Sequence, residues 1–287
     1  MDNLDAELAF AVGAAEAAGA VLRGYFGQAL AIEHKDRGEP VSVADRAAEA
    51  VILEGLRAAF PGDGVLAEEQ ADRASWLRHA RAWLVDPLDG TRDFLAGREG
   101  FCVMIGLLVE ARPVLGVIHA PMTAVTYCGA VGLPAVAIQG AQRLPLLPSA
   151  VADLAQVRLV TSYSHRSART EAARAVVGAC DEQRLGSVGL KVAAIARGER
   201  DLYVNPDGHC KLWDTCAPEA LLLAAGGRMT DLRGRALVYD DPTRLRLEGG
   251  IVASNGHCHA AALARVAPFA ADPAAADKRT RSSPRSS

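Results

Sequence analysis

Between residues 4 and 26, Leu4, Leu8, Val12, Ala15, Ala18, Leu22 and Phe26 recur at steps of three and four. That spacing stacks apolar side chains along one face of a helix, so a long amphipathic helix is expected there. The polar run EHKDRGEP follows, with turn formers at Gly38 and Pro40. Ser42 then opens a second helix, which runs through AEAVILEGLRAAF and stops at Pro61. PGDG reads as a loop, and VLAEE as a short strand ending in acids. From Trp83 the texture changes to short apolar or alternating runs: WLVD, FCVMIGLLV, VLGVIHA and VTYCGAV. These read as strands, with Glu110 to Pro113 as a hairpin turn.

After the proline-spotted stretch LPLLPS, residues 144 to 149, strand and helix patterns alternate. VRLVTS reads as a strand, the run around Glu171 to Ala179 as a helix, and Leu190 to Arg197 as another. DLYV is a strand, CAPEALLLAAGG a helix closed by Gly226 and Gly227, and IVAS with the segment after Asn255 a last strand and helix. The expected organisation is an α+β part over 1–145 and an α/β part over 146–269. The Ala-, Ser- and Arg-rich stretch 270–287 is expected to be a disordered basic tail.

Half of the 287 residues are apolar, enough for a sizeable core. The net charge is −3; the last ten residues, 278–287, hold Lys278, Arg279, Arg281 and Arg285 and no acid, so the body before them carries −3 − 4 = −7. Such a body lacks the basic surface that nucleic-acid binding needs, and no nucleic-acid partner is expected. The six cysteines show no CxxC pair and no framework spacing, as expected of reduced thiols in a cytoplasmic protein. MDNLDAELAF begins with acids, so no signal peptide is expected, and the first apolar stretch is too polar to span a bilayer.

The chemistry concentrates in WLVDPLDGTRDF, residues 83 to 94. An apolar strand ends in Asp86 and Asp89 with Pro87 between them. Taken alone, the hexapeptide DPLDGT suits a surface turn. Its position at a strand end also suits a site, because carboxylates and the Leu88 carbonyl are the oxygen donors that hard divalent ions take. Gly90 lets the backbone come close, and Thr91 starts a helix whose free N–H groups face an anion. Glu68 and Glu69 end the preceding strand, Asp214 opens the later helix, and Ser42 with Asp45 opens the second. Each has a plainer reading: a solvated pair, an N-cap and a capping box.

Together, KDRGEPVSVAD, AEE, WLVDPLDGT and LWDTCAPEALLLAAGG resemble the motifs of the inositol monophosphatase superfamily, over roughly residues 5 to 265. The resemblance implies a layered αβαβα sugar-phosphatase fold and a Mg²⁺-dependent, lithium-sensitive phosphomonoesterase with two or three ions. It implies Glu68, Asp86, the Leu88 carbonyl, Asp89 and Asp214 as metal ligands, with Asp45 and Thr91 orienting and deprotonating the attacking water. Glu68 counts among the catalytic residues as well. Homodimerisation is implied by the same resemblance.

Arg92-Asp93-Phe94 looks like the Lys-Glu-Phe of the 3′(2′),5′-bisphosphate nucleotidase (CysQ-like) branch, and TSYSHRS and GSVGLK resemble its Ser-Arg-Ser-His and Gly-Ser-Ser-Leu-Lys elements. Tyr163 replaces the arginine, and GSVGLK is one residue longer. That branch implies hydrolysis of 3′-phosphoadenosine 5′-phosphate to AMP. Lys191, His165 and Arg166 then face the second phosphate, and Ser162 and Ser187 the ribose or adenine, with Leu88, Asp89, Gly90, Thr91 and Asp214 also touching substrate. Asp207 in DGHCKLWD competes with this reading, since an acid just before a similar run reads sugar hydroxyls in inositol enzymes. Inositol 1-phosphate, histidinol phosphate and other sugar phosphates stay open as substrates. Outside this class stand a non-catalytic metal- or phosphate-binding protein and a zinc or thiol site built from His209, Cys210, Cys216, His257, Cys258 and His259, whose spacings match no zinc pattern.

Overall fold

A computed structural model describes residues 4–34, 40–163, 167–241 and 245–270. In its first half the chain forms α1 (Asp5–Tyr25), β1 (Ile32–His34), β2 (Pro40–Ser42), α2 (Val43–Ala59), β3 (Gly64–Ala67), β4 (Arg81–Asp89) and α3 (Thr91–Leu95). A strand meander follows: β5 (Cys102–Val109), β6 (Arg112–Ala120), β7 (Val125–Ala130), β8 (Leu133–Gln139) and β9 (Gln142–Pro145). The second half contributes β10 (Arg158–Ser162), α4 (Ala168–Val177), β11 (Asp181–Leu185), α5 (Val188–Ala196), β12 (Leu202–Asn205) and α6 (Leu212–Ala224). The described chain closes with β13 (Arg228–Thr230), β14 (Ile251–Ser254) and α7 (His259–Val266).

Two sheets carry the fold. Seven strands run β3 to β9 in chain order, β3 parallel to β4 and the rest antiparallel. Five strands form the order β11-β10-β12-β14-β13. The apolar stripe of α1 buries Ala11, Ala15, Ala18 and Leu22, and α1 and α2 cover one face of the larger sheet. On its other face lie α5 and α6, which also touch the smaller sheet, and α4 and α7 close the far side. The layering is therefore αβαβα, as expected. The central core joins Met104 and Ile118 of the larger sheet, Val192 and Leu221 of the middle helices, and Tyr203 and Ala253 of the smaller sheet.

The approach of α6 to the larger sheet is close enough to require glycine. A Cβ on Gly116 would lie 2.0 Å from the Ala217 carbonyl oxygen, and one on Gly106 would lie 2.6 Å from Cys216 Sγ. The turn after β5 places Glu110 and Ala111 at φ 50 and 58, the twist a two-residue hairpin wants. Six strands have no counterpart in the sequence reading: β1, β2 and β13 are only three residues long, and β8, β9 and β11 lack an alternating pattern, β9 and β11 being polar edge strands. Gly38 and the tail beyond residue 270 lie outside the described residues. No helix among the described residues is long and apolar enough to cross a membrane.

Candidate active site

Along β4, Asp86 stands opposite Met104, and the register then slips so that Asp89 faces Cys102. Pro87 accounts for the slip, since it has no N–H to give the ladder. The Leu88 N–H turns back to Asp86 Oδ1 at 3.0 Å. Its carbonyl accepts from Thr91 Oγ1 at 3.1 Å. Gly90 follows at φ 103, where a Cβ would lie 2.8 Å from the Gly100 carbonyl oxygen, so conformation and space both demand glycine. The helix it opens, α3, starts at Thr91 as expected and has five residues.

Asp86, Leu88, Asp89, Gly90 and Thr91 line one cavity of about 380 Å³, together with Glu68 from beyond β3 and Asp214 from the first turn of α6. The N-cap of α6 is Lys211 and not Asp214; Asp214 is the third helical residue, and its Oδ2 reaches back to accept the Lys211 N–H at 2.8 Å while it lines the cavity. Asp45 is buried behind the wall. Its Oδ2 accepts from the N–H and hydroxyl of Ser42, both at 2.8 Å, closing the expected capping box. Its Oδ1 lies 3.3 Å from Thr91 Oγ1. Asp89 is reached from the second half of the chain, with Oδ2 accepting from Ser187 Oγ at 2.6 Å and from the Gly189 N–H at 2.9 Å.

So many buried carboxylates repel one another. Burial first, then the charges of Glu68, Asp89 and Asp214, push Asp86 well above the usual carboxylate range. Asp214 goes up to about 8, through burial and then Asp89, with Lys211 opposing. Burial raises Asp89 against the pull of Lys191 and Ser187. As the side chains stand, no three His, Cys, Asp or Glu groups among the described residues close into a ready coordination shell. Lys211 Nζ instead lies 3.3 Å from Glu68 Oε1. The donor set is nonetheless all oxygen, four carboxylates and a backbone carbonyl, and is short of positive charge, which fits hard divalent ions.

Of the residues expected to face substrate, Ser162, Ser187 and Lys191 are on the cavity wall. Lys191 is 3 % exposed, donates to the Ser187 carbonyl at 2.6 Å and lies 5.1 Å over the Tyr203 ring. Burial lowers its pKa against the pull of Asp89. His165 and Arg166 lie outside the described residues. Asp207 is not on the wall; its Oδ2 accepts from Ser167 Oγ and Thr170 Oγ1, both at 2.7 Å, at the start of α4. The structure adds wall residues that sequence reasoning did not place there: Tyr203, Asn205, Lys211 and Arg246. Lys211 had a visible signal, standing three residues before Asp214, whereas Arg246 arrives through a backbone bridge to Lys211 that no local pattern announces. The proposed zinc cluster does not assemble. Cys216 packs in the central core, and His259 is bonded to Ser254 and Thr230 behind the smaller sheet.

A model of the inositol monophosphatase family matches residues 3–270. The chain belongs to the inositol monophosphatase family. It is a phosphatase, a phosphomonoester hydrolase like its relatives. Enzymes of this family are metal-dependent, generally on Mg²⁺. The phosphatase is 35 % identical to the 3′(2′),5′-bisphosphate nucleotidase CysQ of Shigella flexneri over 231 residues, 79 % of this chain and 90 % of the relative. It is 33 % identical to the histidinol-phosphatase of Mycobacterium tuberculosis over 265 residues, 91 % of this chain and 97 % of the relative. The inositol monophosphatase structure from Anabaena superposes with a TM-score of 0.75 at 32 % identity, covering 96 % of this chain and all of the other.

Proposed function

We propose that this phosphatase is a 3′(2′),5′-bisphosphate nucleotidase that removes the 3′-phosphate of 3′-phosphoadenosine 5′-phosphate. One observation carries the choice of substrate. Beyond the carboxylate cluster the cavity wall holds Arg92, Lys191, Lys211 and Arg246. The one further acid there, Asp93, is buried and paired with Arg98. Such a wall suits a second phosphate and disfavours the ammonium group of histidinol phosphate. The bonds of Asp207 to Ser167 and Thr170 support this choice over an inositol ester, whose hydroxyls that acid would have to face. The identity to CysQ supports the same reading.

Glu68, Asp86, the Leu88 carbonyl, Asp89 and Asp214 would hold the divalent ions. Ions held there supply positive charge to the ester phosphate and favour ionisation of the attacking water. Asp89 enters with Oδ2 already bonded to Ser187 and Gly189. Thr91 Oγ1 positions the water. The proton passes through that hydroxyl to Asp45 Oδ1, 3.3 Å away. Lys191 and the outer arginines bind the second phosphate and orient the ester.

The test is the dependence on the second phosphate. kcat/KM for 3′-phosphoadenosine 5′-phosphate should exceed that for adenosine 3′-phosphate, and Lys191→Met should narrow the gap. Equal values for the two esters would overturn the assignment.

A further inference from the structure

Arg73 lies in the loop between β3 and β4 and is not on the cavity wall. Its Nη1 donates to the Ala67 carbonyl at 2.9 Å and its Nη2 to the Glu68 carbonyl at 2.6 Å. Its guanidinium carbon lies 4.9 Å over the ring of Trp213, the residue before Asp214. The same ring carries Lys211 Nζ at 5.2 Å. Two cations thus rest on one buried indole, and both hold Glu68, Arg73 by the backbone and Lys211 by the carboxylate, 143 positions away in sequence. Arg73 is itself fixed from behind. Its carbonyl accepts from Trp76 Nε1 at 3.2 Å, and Asp72 Oδ1 accepts from the N–H groups of Ala74 and Ser75 at 2.9 and 3.0 Å.

We propose that Arg73 is a positioning residue that fastens the Glu68 loop to the Trp213–Asp214 start of α6, so that carboxylates from distant chain segments meet a divalent cation as one site. The inference rests on the reading of Glu68 and Asp214 as cation ligands. The chemistry of the clasp requires arginine. A planar fork reaches two successive carbonyls while its face stacks on the indole, whereas a lysine keeps the charge and loses the second bond and the stacking. Without the clasp the Glu68 loop samples positions away from α6, and apparent cation affinity falls by the fraction of time it is misplaced.

The test is calorimetric titration of Mg²⁺ into the metal-free full chain, comparing wild type, Arg73→Lys and Arg73→Gln. Arg81→Gln serves as the control, because its ion pairs with Glu7 and Asp63 lie away from the cavity and their loss reports general destabilisation. Arg73→Gln should weaken Mg²⁺ binding about tenfold. Arg73→Lys should fall between it and wild type, and Arg81→Gln should match wild type. Hydrogen exchange should show Mg²⁺ protecting the amides of 67–74 in wild type and protecting them less in Arg73→Gln. At saturating Mg²⁺ the turnover of Arg73→Gln should return toward wild type. If Arg73→Gln does not fold, the Arg73→Lys affinity and exchange data decide alone. Unchanged affinity in both Arg73 variants, or an equal loss in Arg81→Gln, overturns the proposal while leaving the ligand reading intact. Absence of Mg²⁺ binding by wild type overturns both.

Discussion

Ser187 Oγ donates to Asp89 Oδ2 at 2.6 Å, joining residues 98 positions apart. The same hydroxyl accepts the Leu190 N–H at 3.0 Å and so caps α5. Ser187 does this at φ 55, a left-handed backbone that a residue with a Cβ adopts at a cost of about 1–3 kcal/mol. Ser187→Ala keeps the strain and removes both bonds along with the 3.0 Å contact of the hydroxyl to Cys102 Sγ, so it should lower stability by about 1–2 kcal/mol and weaken Mg²⁺ binding. Ser187→Gly relieves the strain, so it should melt above Ser187→Ala while binding Mg²⁺ no better. Thermal melts with calorimetry separate the two effects.

Asp89→Asn should abolish phosphate release and keep or raise the melting temperature of the metal-free protein. Burial already disfavours the Asp89 charge, and the amide retains an oxygen to accept from Ser187 and Gly189. A variant that loses activity because it unfolds contradicts this account.

The metal-free protein should also be most stable on the acid side. Asp214 is raised to about 8 from 3.8, and Asp86 is raised too, so between those values the folded state keeps protons that the unfolded chain has released. Stability then falls as pH rises through that window. Glu219, raised to about 7 mainly by burial, acts with the same sign and away from the cavity. Buried His119 and His259, lowered from 6.5 to about 4, act with the opposite sign below 6.5, so the melting temperature should fall between about pH 6.5 and about pH 8, and Mg²⁺ should raise it more at the higher pH. Glu219→Gln should flatten only the part of the slope that Mg²⁺ leaves. A metal-free melting temperature that climbs across this range would count against the carboxylate cluster.

Gly116→Ala should destabilise by about 1–3 kcal/mol or more, because its Cβ would meet backbone of α6 at 2.0 Å and that helix cannot retreat without moving Asp214. Chemical denaturation, with a Mg²⁺ titration on the folded fraction, checks both consequences.

What could be read in the sequence follows the range of the forces involved. Ser42 and Asp45 declare a helix start because a capping box is a local bond pattern. Asp86 and Asp89 declare a strand end because Pro87 cannot continue a ladder. Periodicity placed α1 and α2 because each buries one stripe. The edge strands β9 and β11 were hidden because solvent on their side chains erases alternation. Asp207 was ambiguous because its partners, Ser167 and Thr170, lie about 40 positions away. Arg73, Lys211 and Arg246 act by reaching across loops onto Glu68, Trp213 and the cavity wall, and no spacing rule registers such contacts.

The most direct measurement is phosphate release with Mg²⁺ from 3′-phosphoadenosine 5′-phosphate, myo-inositol 1-phosphate and histidinol phosphate, with Asp89→Asn as the blank. The account predicts that the bisphosphate has the highest kcat/KM by about tenfold or more, as expected when a second charge-paired phosphate contributes to binding the transition state. A preference for either monophosphate would contradict it.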